Sequence, residues 1–468
     1  MSAIVLERAG YTDVTLYEKA DRVGGTWREN TYPGVACDVP SHLYCYSFAP
    51  NPEWSHPCAP GHEIQAYIEN IVQRYQLAPR LRLGEEIVRA EFDATSARWQ
   101  LETSRGRRDS VDVLIAATGV THHPRLPDIA GSSTFARAAF HSARWDHSVP
   151  LDGQRVGIIG TGSTAVQLVA ALSSRVGKLS LFQRTPQWIM PIENAPFSDD
   201  RKALFRERPE KLSALRAELE RRFTEGFSHA VIDVNSPQLQ VIEDTCRAHL
   251  EQIVDPVLRA QLRPDYRAAC KRLVLSGDFY TAVQRPNVEL VVDGIERIEP
   301  EGVRTRAGRL HDLDVLVYAT GFRTDRFIRP TQIVGRDGVP LDAVWAQRPS
   351  AYLSVAVPGF PNFFLLNGPN SPVGNFSLID VAEMQMSYAL QLIDQLRTGP
   401  YRQVCPTQTA ADSFEDTRVA ATKNTVWVTG CKSWYLDDRG VPASWPWTLQ
   451  RFREDMAQPN LAHFELRT

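Results

Sequence analysis

Apolar positions change their spacing several times along the chain, and each change predicts a different element. "SAIVLERAG" (2–10) has helical spacing and ends on Gly10, a good helix terminator. "DVTLYEK" then predicts a short apolar strand ending in Glu18. A βαβ unit runs the other way, with a strand first and a Gly-rich turn before the helix. Residues 24–60 are rich in Gly, Pro, aromatics and Cys, and have the character of a long functional loop. "EIQAYIENIVQRY" (63–75) is an amphipathic helix, and "RLRLGEEIVRAEFDATSARWQLET" and "VDVLIAATG" predict strands and turns. Residues 151–192 give strand, Gly turn, helix and strand in "RVGIIG", "STAVQLVAALSS" and "KLSLFQR". Residues 198–262 are charged and helical, with Leu212, Leu215, Leu219 and Phe223 spaced as a packed helix face. "VELVVDGIERIEPEGVRTRAG" and "DLDVLVYATGF" return to strand, and the tail from 380 mixes helix and loop.

This pattern predicts an α/β protein with two nucleotide-binding halves, parallel sheets, right-handed crossovers and a helical insertion at about 198–262. Its 468 residues allow two or three domains with substantial cores. Composition narrows the class little: 23% charged and 43% hydrophobic residues are ordinary for a globular protein. A net charge of -3 offers no attraction to nucleic acid or to an anionic membrane. The uncharged runs 156–174 and 350–379 are not membrane spans, because polar residues fill the first and prolines break the second. Glu7 and Arg8 interrupt any signal-peptide core. Seven scattered cysteines without a C-x-x-C pair argue against a disulfide framework and a zinc site, so no metal is expected and the cytoplasm is the expected compartment. Oligomeric state is not assigned.

The chemistry starts at "GIIGTGSTAV". Gly160-x-Gly162-x-x-Ala165 follows an apolar strand and opens a helix at Ser163. A pyrophosphate needs that helix N-terminus, where free N–H groups and the dipole favour negative charge. Gly160 permits the turn, Gly162 clears the phosphate's path and Ala165 lets helix pack on strand. The next strand ends in Arg184 and Thr185 rather than in an acid, which favours a 2′-phosphate and hence NADP(H). Glu18 holds the corresponding strand end in the first half, which suits an unphosphorylated ribose, as in FAD or NAD. Two dinucleotide units of opposite preference suggest a flavoenzyme reduced by NADPH.

"EKADRVGGTWRENTYPGVACDVPSHLYCYSF" resembles the FAD-side loop of the flavin-dependent Baeyer–Villiger monooxygenases, a branch of the class B flavoprotein monooxygenases. The likeness continues in order through "DVLIAATG", "LPDIAG", "FHSARWDH", "CKRLVLSGDFY", "RPNVELV", "YATGF" and "GPNSPVGNFS". The family's stretch F-x-G-x-x-x-H-x-x-x-W-(P/D) is matched by Phe135, His141, Trp145 and Asp146, with Arg137 in place of the glycine. If that position needs φ > 0, Arg137 strains the linker.

The resemblance implies an FAD-binding domain from 1–133 and 325–468 and an NADP-binding domain from 134–324. It implies oxygen insertion into a ketone through a flavin C4a-peroxide, giving an ester or lactone, with NADPH, O2 and a small-molecule ketone as partners. Arg272 would stabilise the negative charge of peroxide and adduct, and Asp38 would hold Arg272. Gly24, Gly25, Thr26, Trp27 and Tyr44 would contact the flavin. Lys271 would join Arg184 at the 2′-phosphate. His141 would sit at the domain hinge, and Thr320 and Gly321 of "YATGF" would lie at the cofactors. Trp434, Trp445 and Trp447 would cover the substrate or belong to the core. No catalytic thiol is expected. Two alternatives stand beside this reading: an N- or S-oxygenating monooxygenase, and a non-catalytic chain that binds NADP only. The family's first Gly fingerprint would precede Ala3. The expectation is a start placed roughly 20–30 residues too late rather than a truncated product, with a slot in the FAD sheet and poor FAD retention.

Overall fold

A computed structural model describes residues 1–468. The strands flanking the Gly loop are the centre of its largest sheet. Arg155–Ile159 and Lys178–Phe182 pair in parallel and are buried along nearly their whole length, as a sheet covered on both faces requires. Val288–Val291 pairs beyond the second, and Val315–Tyr318 then Ala138–His141 extend past the first, giving five parallel strands. The helix Ser163–Leu172 packs on this sheet through Ala165, Val166, Leu168, Val169 and Leu172, one stripe at helical spacing.

The other half is assembled from shorter pieces. Leu16–Glu18 pairs in parallel with Leu81–Leu83, and Leu114–Ala116 with Phe363–Leu365, as two separate two-stranded sheets. Leu114–Ala116 and Phe363–Leu365 lie on either side of the five-stranded unit in sequence, so the chain leaves this half and returns to it. A four-stranded sheet carries Gln332–Val334, Ile87–Asp93, Arg98–Thr103 and Arg108–Val111. The helix Leu378–Thr398 forms the core of the C-terminal part with Phe452, Trp445 and Met456.

The helical insertion forms as its charge pattern predicts, with Asp199–Glu207, Pro209–Arg222 and Pro237–Leu250 as its main helices. Only Leu212 of its apolar stripe is fully buried. Arg216 on the same helix donates to the Cys45 carbonyl at 2.9 Å and pairs with Asp380, which fixes the insertion to the 24–60 loop and the C-terminal helix. That loop also grips the five-stranded half. The Tyr32 hydroxyl donates to Gln167 at 2.7 Å, and Gln167 donates to the Ala36 carbonyl at 3.0 Å. A Cβ on Gly34 would lie 2.8 Å from the Gln167 carbonyl, so the close approach there needs a glycine.

Two expectations change, and the open alternatives for the tryptophans divide between them. Arg137 does not take a positive φ; it precedes the strand Ala138–His141, and its guanidinium meets Asp314 and the Leu313 carbonyl at 2.9 Å, so the substitution adds an ion pair rather than strain. Trp445 is fully buried in the C-terminal core, whereas Trp434 is 44% exposed. The cysteine pattern is also corrected: Cys270 and Cys431 form a disulfide, and the other five cysteines are free and buried. The pair is 161 residues apart in sequence, so only tertiary packing brings the two together.

His42 is buried between the rings of Phe197 and Phe205. Burial and the nearby Arg201 cation push its pKa down to about 4. The unfolded chain therefore binds the proton more readily. Stability from this site is complete above the ordinary histidine value and falls as pH drops from there toward about 4. Between pH 7.5 and 5.5 the loss is expected to be about 1 kcal/mol. Denaturant melts of the protein and of His42→Phe at both pH values check this; equal slopes with pH would refute it.

Candidate functional site

The Gly loop has the geometry its spacing predicts. Gly160 sits at φ +123°, and a Cβ there would lie 2.3 Å from the Ala319 carbonyl oxygen. Nothing lies within 4 Å of a Cβ built on Gly162, and no side chain caps the helix that begins at Ser163. The first amides of that helix are therefore not taken up by a side-chain cap, as an anion site needs. Thr161 donates from Oγ1 to the Thr185 carbonyl at 2.7 Å, tying the loop to the end of the next strand. Arg184 is exposed at that strand end. Lys271 lies with its Nζ 4.6 Å above the Tyr266 ring. Burial, then the Arg184 charge, lower the pKa of Lys271.

Asp38 and Arg272 form a two-pronged ion pair. Arg272 donates from Nε to Oδ2 at 2.9 Å and from Nη2 to Oδ1 at 2.6 Å. The side chains are 27% and 28% exposed, so the pair is sheltered yet open along one edge. Burial opposes the charge on Arg272, but Asp38 and the neighbouring Tyr435 outweigh it and raise the pKa, so the cation persists. The sequence places these groups 234 residues apart. The loop anchored on Gln167 delivers Asp38. Arg272 lies between the Cys270 disulfide and the short strand Val274–Leu275, which pairs with Ile189–Met190.

The flavin-side residues gather in the first half. Gly24 and Gly25 both take positive φ, and nothing obstructs a Cβ on Gly25. They open the short helix Thr26–Glu29. Thr26 exchanges a hydrogen bond with Thr121 at 2.8 Å, which holds this turn beside the strand end at Ala116. Trp27 donates to the Tyr44 hydroxyl at 3.4 Å, and the two rings meet edge to face. Glu18 accepts from the Ala20 amide at 2.9 Å and pairs with Arg28 at 3.3 Å. His141 ends its strand; Nε2 donates to the Gly321 carbonyl at 3.1 Å, and Nδ1 accepts from the Ala143 amide at 3.1 Å. Burial keeps its pKa low. Thr320 donates to the Arg125 carbonyl at 2.5 Å, so the "YATGF" turn is tied to the connection that precedes Ala138.

The flavin-binding monooxygenase-like family model matches residues 9–228. A Baeyer–Villiger monooxygenase of Streptomyces coelicolor is 38% identical over 99% of this chain and 90% of its own length. The chain belongs to the Baeyer–Villiger monooxygenase family. An uncharacterized monooxygenase of Mycobacterium tuberculosis is 48% identical over 97% of this chain and 90% of its own. The cyclohexanone monooxygenase of Rhodococcus sp. Phi1, solved bound to NADP+, superposes with a TM-score of 0.88 at 28% identity, covering 100% of this chain and 96% of that one. OTEMO, solved with FAD and NADP, gives 0.89 at 28% identity, with 99% and 96% covered.

Two features of this Baeyer–Villiger monooxygenase site are not visible in the sequence reading. The buried Tyr435 shares one core with Cys270 and Leu273, which flank Arg272 in sequence. The disulfide from Cys270 reaches Cys431, four residues before Tyr435. The only local signal is a cysteine two positions before Arg272 and another three before Trp434, and neither spacing names a partner.

Proposed function

We propose that the protein is an NADPH- and FAD-dependent monooxygenase that inserts one atom of O2 into a ketone. Ketone, O2, NADPH and a proton give ester or lactone, NADP+ and water. The observation that carries this reading is the Arg272–Asp38 pair, a fixed cation held in a sheltered site between two dinucleotide-binding halves.

The residues present fit both cofactors. The uncapped helix at Ser163, the open space over Gly162 and the two cations Arg184 and Lys271 fit the pyrophosphate and 2′-phosphate of NADPH. Thr185, His141, Thr320 and Gly321 would frame that crevice, and the buried Ala165 lets the helix pack on the strand behind it. Gly24, Gly25, Thr26 and Trp27 would hold the flavin, Glu18 its ribose, and Tyr44 and Asp38 would line the ring's pocket. We assign residues 1–133 with 325–468 to the FAD domain and 134–324 to the NADP domain.

Bound flavin supplies the hydride acceptor and the activation of O2. The protein's part is electrostatic. Arg272 presents donors toward the oxygen on which negative charge develops when the ketone carbon is attacked, and these donors are strongest with water excluded. Asp38 holds two of its nitrogens, so the guanidinium's orientation is set before substrate arrives. No helix is long and apolar enough to cross a membrane. We place the reaction in the cytoplasm, where NADPH is available, and take the single disulfide as a local tie rather than a framework.

The test is oxidation under 18O2 of a cyclic ketone and a thioether by FAD-loaded protein with NADPH. Lactone carrying one labelled atom per NADPH is expected. Sulfoxide without lactone would replace this reading with heteroatom oxygenation.

A further inference from the structure

Lys271 stands five residues beyond Tyr266 in sequence, yet its Nζ lies 4.6 Å above the centre of that ring. A turn brings it back. The Cys270 amide donates to the Arg267 carbonyl at 3.3 Å, and Ala269 holds φ +61°, a left-handed conformation of the kind a turn takes at its third residue. The buried Glu243 of the helix Pro237–Leu250 fixes this turn from outside, accepting from Arg267 Nε at 2.5 Å and from the Ala268 amide at 3.2 Å. Tyr266 is itself tied to the segment that follows Arg184. Its hydroxyl donates to the Pro186 carbonyl at 2.8 Å, with Gln187 Oε1 at 3.1 Å, and its carbonyl accepts from Trp188 Nε1 at 2.7 Å. That segment is joined in turn to the Gly loop, because Thr161 donates to the Thr185 carbonyl at 2.7 Å. One half-buried residue therefore carries Lys271 on its ring and holds, through hydroxyl and carbonyl, the chain just past Arg184.

We propose that Tyr266 is a positioning residue for recognition of the NADPH 2′-phosphate: its ring seats the Lys271 ammonium, and its hydroxyl and carbonyl fix that ring to the strand end bearing Arg184. This rests on the reading of Lys271 as a group that meets that phosphate. A lysine on its flexible stem gives up rotamer entropy whenever it meets an anion. An ammonium already held over an aromatic face has lost much of that freedom beforehand. The face also holds Lys271 without neutralising it. A carboxylate in the same place would cancel the charge and repel the phosphate, whereas a neutral ring leaves the charge available. Tyr266 acts on the cofactor through Lys271, so its loss is felt by a phosphorylated ribose and not by a plain one.

Adenosine 2′,5′-bisphosphate and 5′-AMP differ only in the 2′-phosphate, and calorimetry with the full chain reads both without turnover. Tyr266→Leu is expected to weaken the bisphosphate about fivefold, the size of one cation–π contact, and to leave 5′-AMP within about twofold. Tyr266→Phe keeps the ring under Lys271 and should stay close to native with both. In a Lys271→Ala background, Tyr266→Leu should add no further loss. The KM of FAD-loaded enzyme for NADPH should follow the bisphosphate, with kcat and the KM for NADH unmoved. A purely structural role would weaken both ligands together or persist without Lys271, and either result overturns the proposal. So does Tyr266→Phe failing as badly as Tyr266→Leu, or Tyr266→Leu binding as the native chain does. If Tyr266→Leu does not fold, Tyr266→Phe is compared with trifluorophenylalanine at the same position, since fluorine weakens the ring's negative face at nearly constant shape. Weaker bisphosphate binding on fluorination supports the proposal, and equal binding refutes it. Lys271→Ala separates the two readings: if it leaves bisphosphate binding intact, the role of Lys271 fails; if it weakens the bisphosphate while Tyr266→Leu does not, only the positioning role fails.

Discussion

Arg272→Ala is expected to lower lactone formation by about 10²–10³ while NADPH continues to be consumed. The guanidinium is the one permanent cation that the site holds by two hydrogen bonds to a single carboxylate, at 2.9 and 2.6 Å. On the proposed role, its removal takes away donors aimed at charge that exists only as the ketone is attacked. Hydride transfer from NADPH precedes that step, so flavin bleaching should stay within about twofold, and reducing equivalents should leave as hydrogen peroxide. Arg272→Lys should recover only part of the loss, because an ammonium keeps the charge but not the planar fork that Asp38 grips. Asp38 then becomes an unpartnered carboxylate, but its side chain is 27% exposed and water replaces part of the interaction. A lower melting temperature in Arg272→Ala is therefore expected to be modest, well short of the ~3–5 kcal/mol seen when a fully buried pair is broken. Lactone yield per NADPH, read beside peroxide, decides the matter; an unchanged yield would remove Arg272 from the mechanism.

Arg184→Ala is expected to cost NADPH about 10- to 100-fold in kcat/KM and to leave NADH nearly untouched, so the preference between them collapses. Arg184 stands exposed at the end of Lys178–Phe182, the position that faces the adenine ribose when pyrophosphate sits on the helix at Ser163. The 2′-phosphate is remote from the nicotinamide, so the loss should appear in KM rather than in kcat. Exposure also makes the contact sensitive to salt, and the NADPH advantage of the native enzyme should shrink between low and high ionic strength. Lys271→Ala should act in the same sense. The two cations are close enough to influence each other, so the double variant should fall short of the sum of the single effects. Preference for NADPH surviving Arg184→Ala would show that another group reads the phosphate.

Local patterns carried a large part of the structure. The predicted strand, Gly turn, helix and strand at 155–184 appear almost residue for residue, because continuous apolar runs suit only a doubly covered sheet and Gly160 can sit at φ +123° against the Ala319 carbonyl. The short N-terminal helix and the helix at Gly61–Arg74 also follow from spacing. Other features were harder to read. "DVTLYEK" yields only Leu16–Glu18 as strand, since its single parallel partner, Leu81–Leu83, is equally short. Arg137 looked like a strained replacement for glycine; its ordinary φ and its contact with Asp314 depend on a strand pairing that no local window contains. The cysteines looked unpaired because local spacing was the only test available.

The chain's own order of residues determined the two dinucleotide-binding halves, the uncapped helix start at Ser163 and the charge at each strand end, because these depend on a turn, a helix start and a strand end that lie within a few residues of one another. Tertiary structure alone decided that Asp38 meets Arg272 and that Cys270 bonds to Cys431. Those contacts join residues more than 150 positions apart, and what brings them together is the packing of separate cores, not the spacing along any one element.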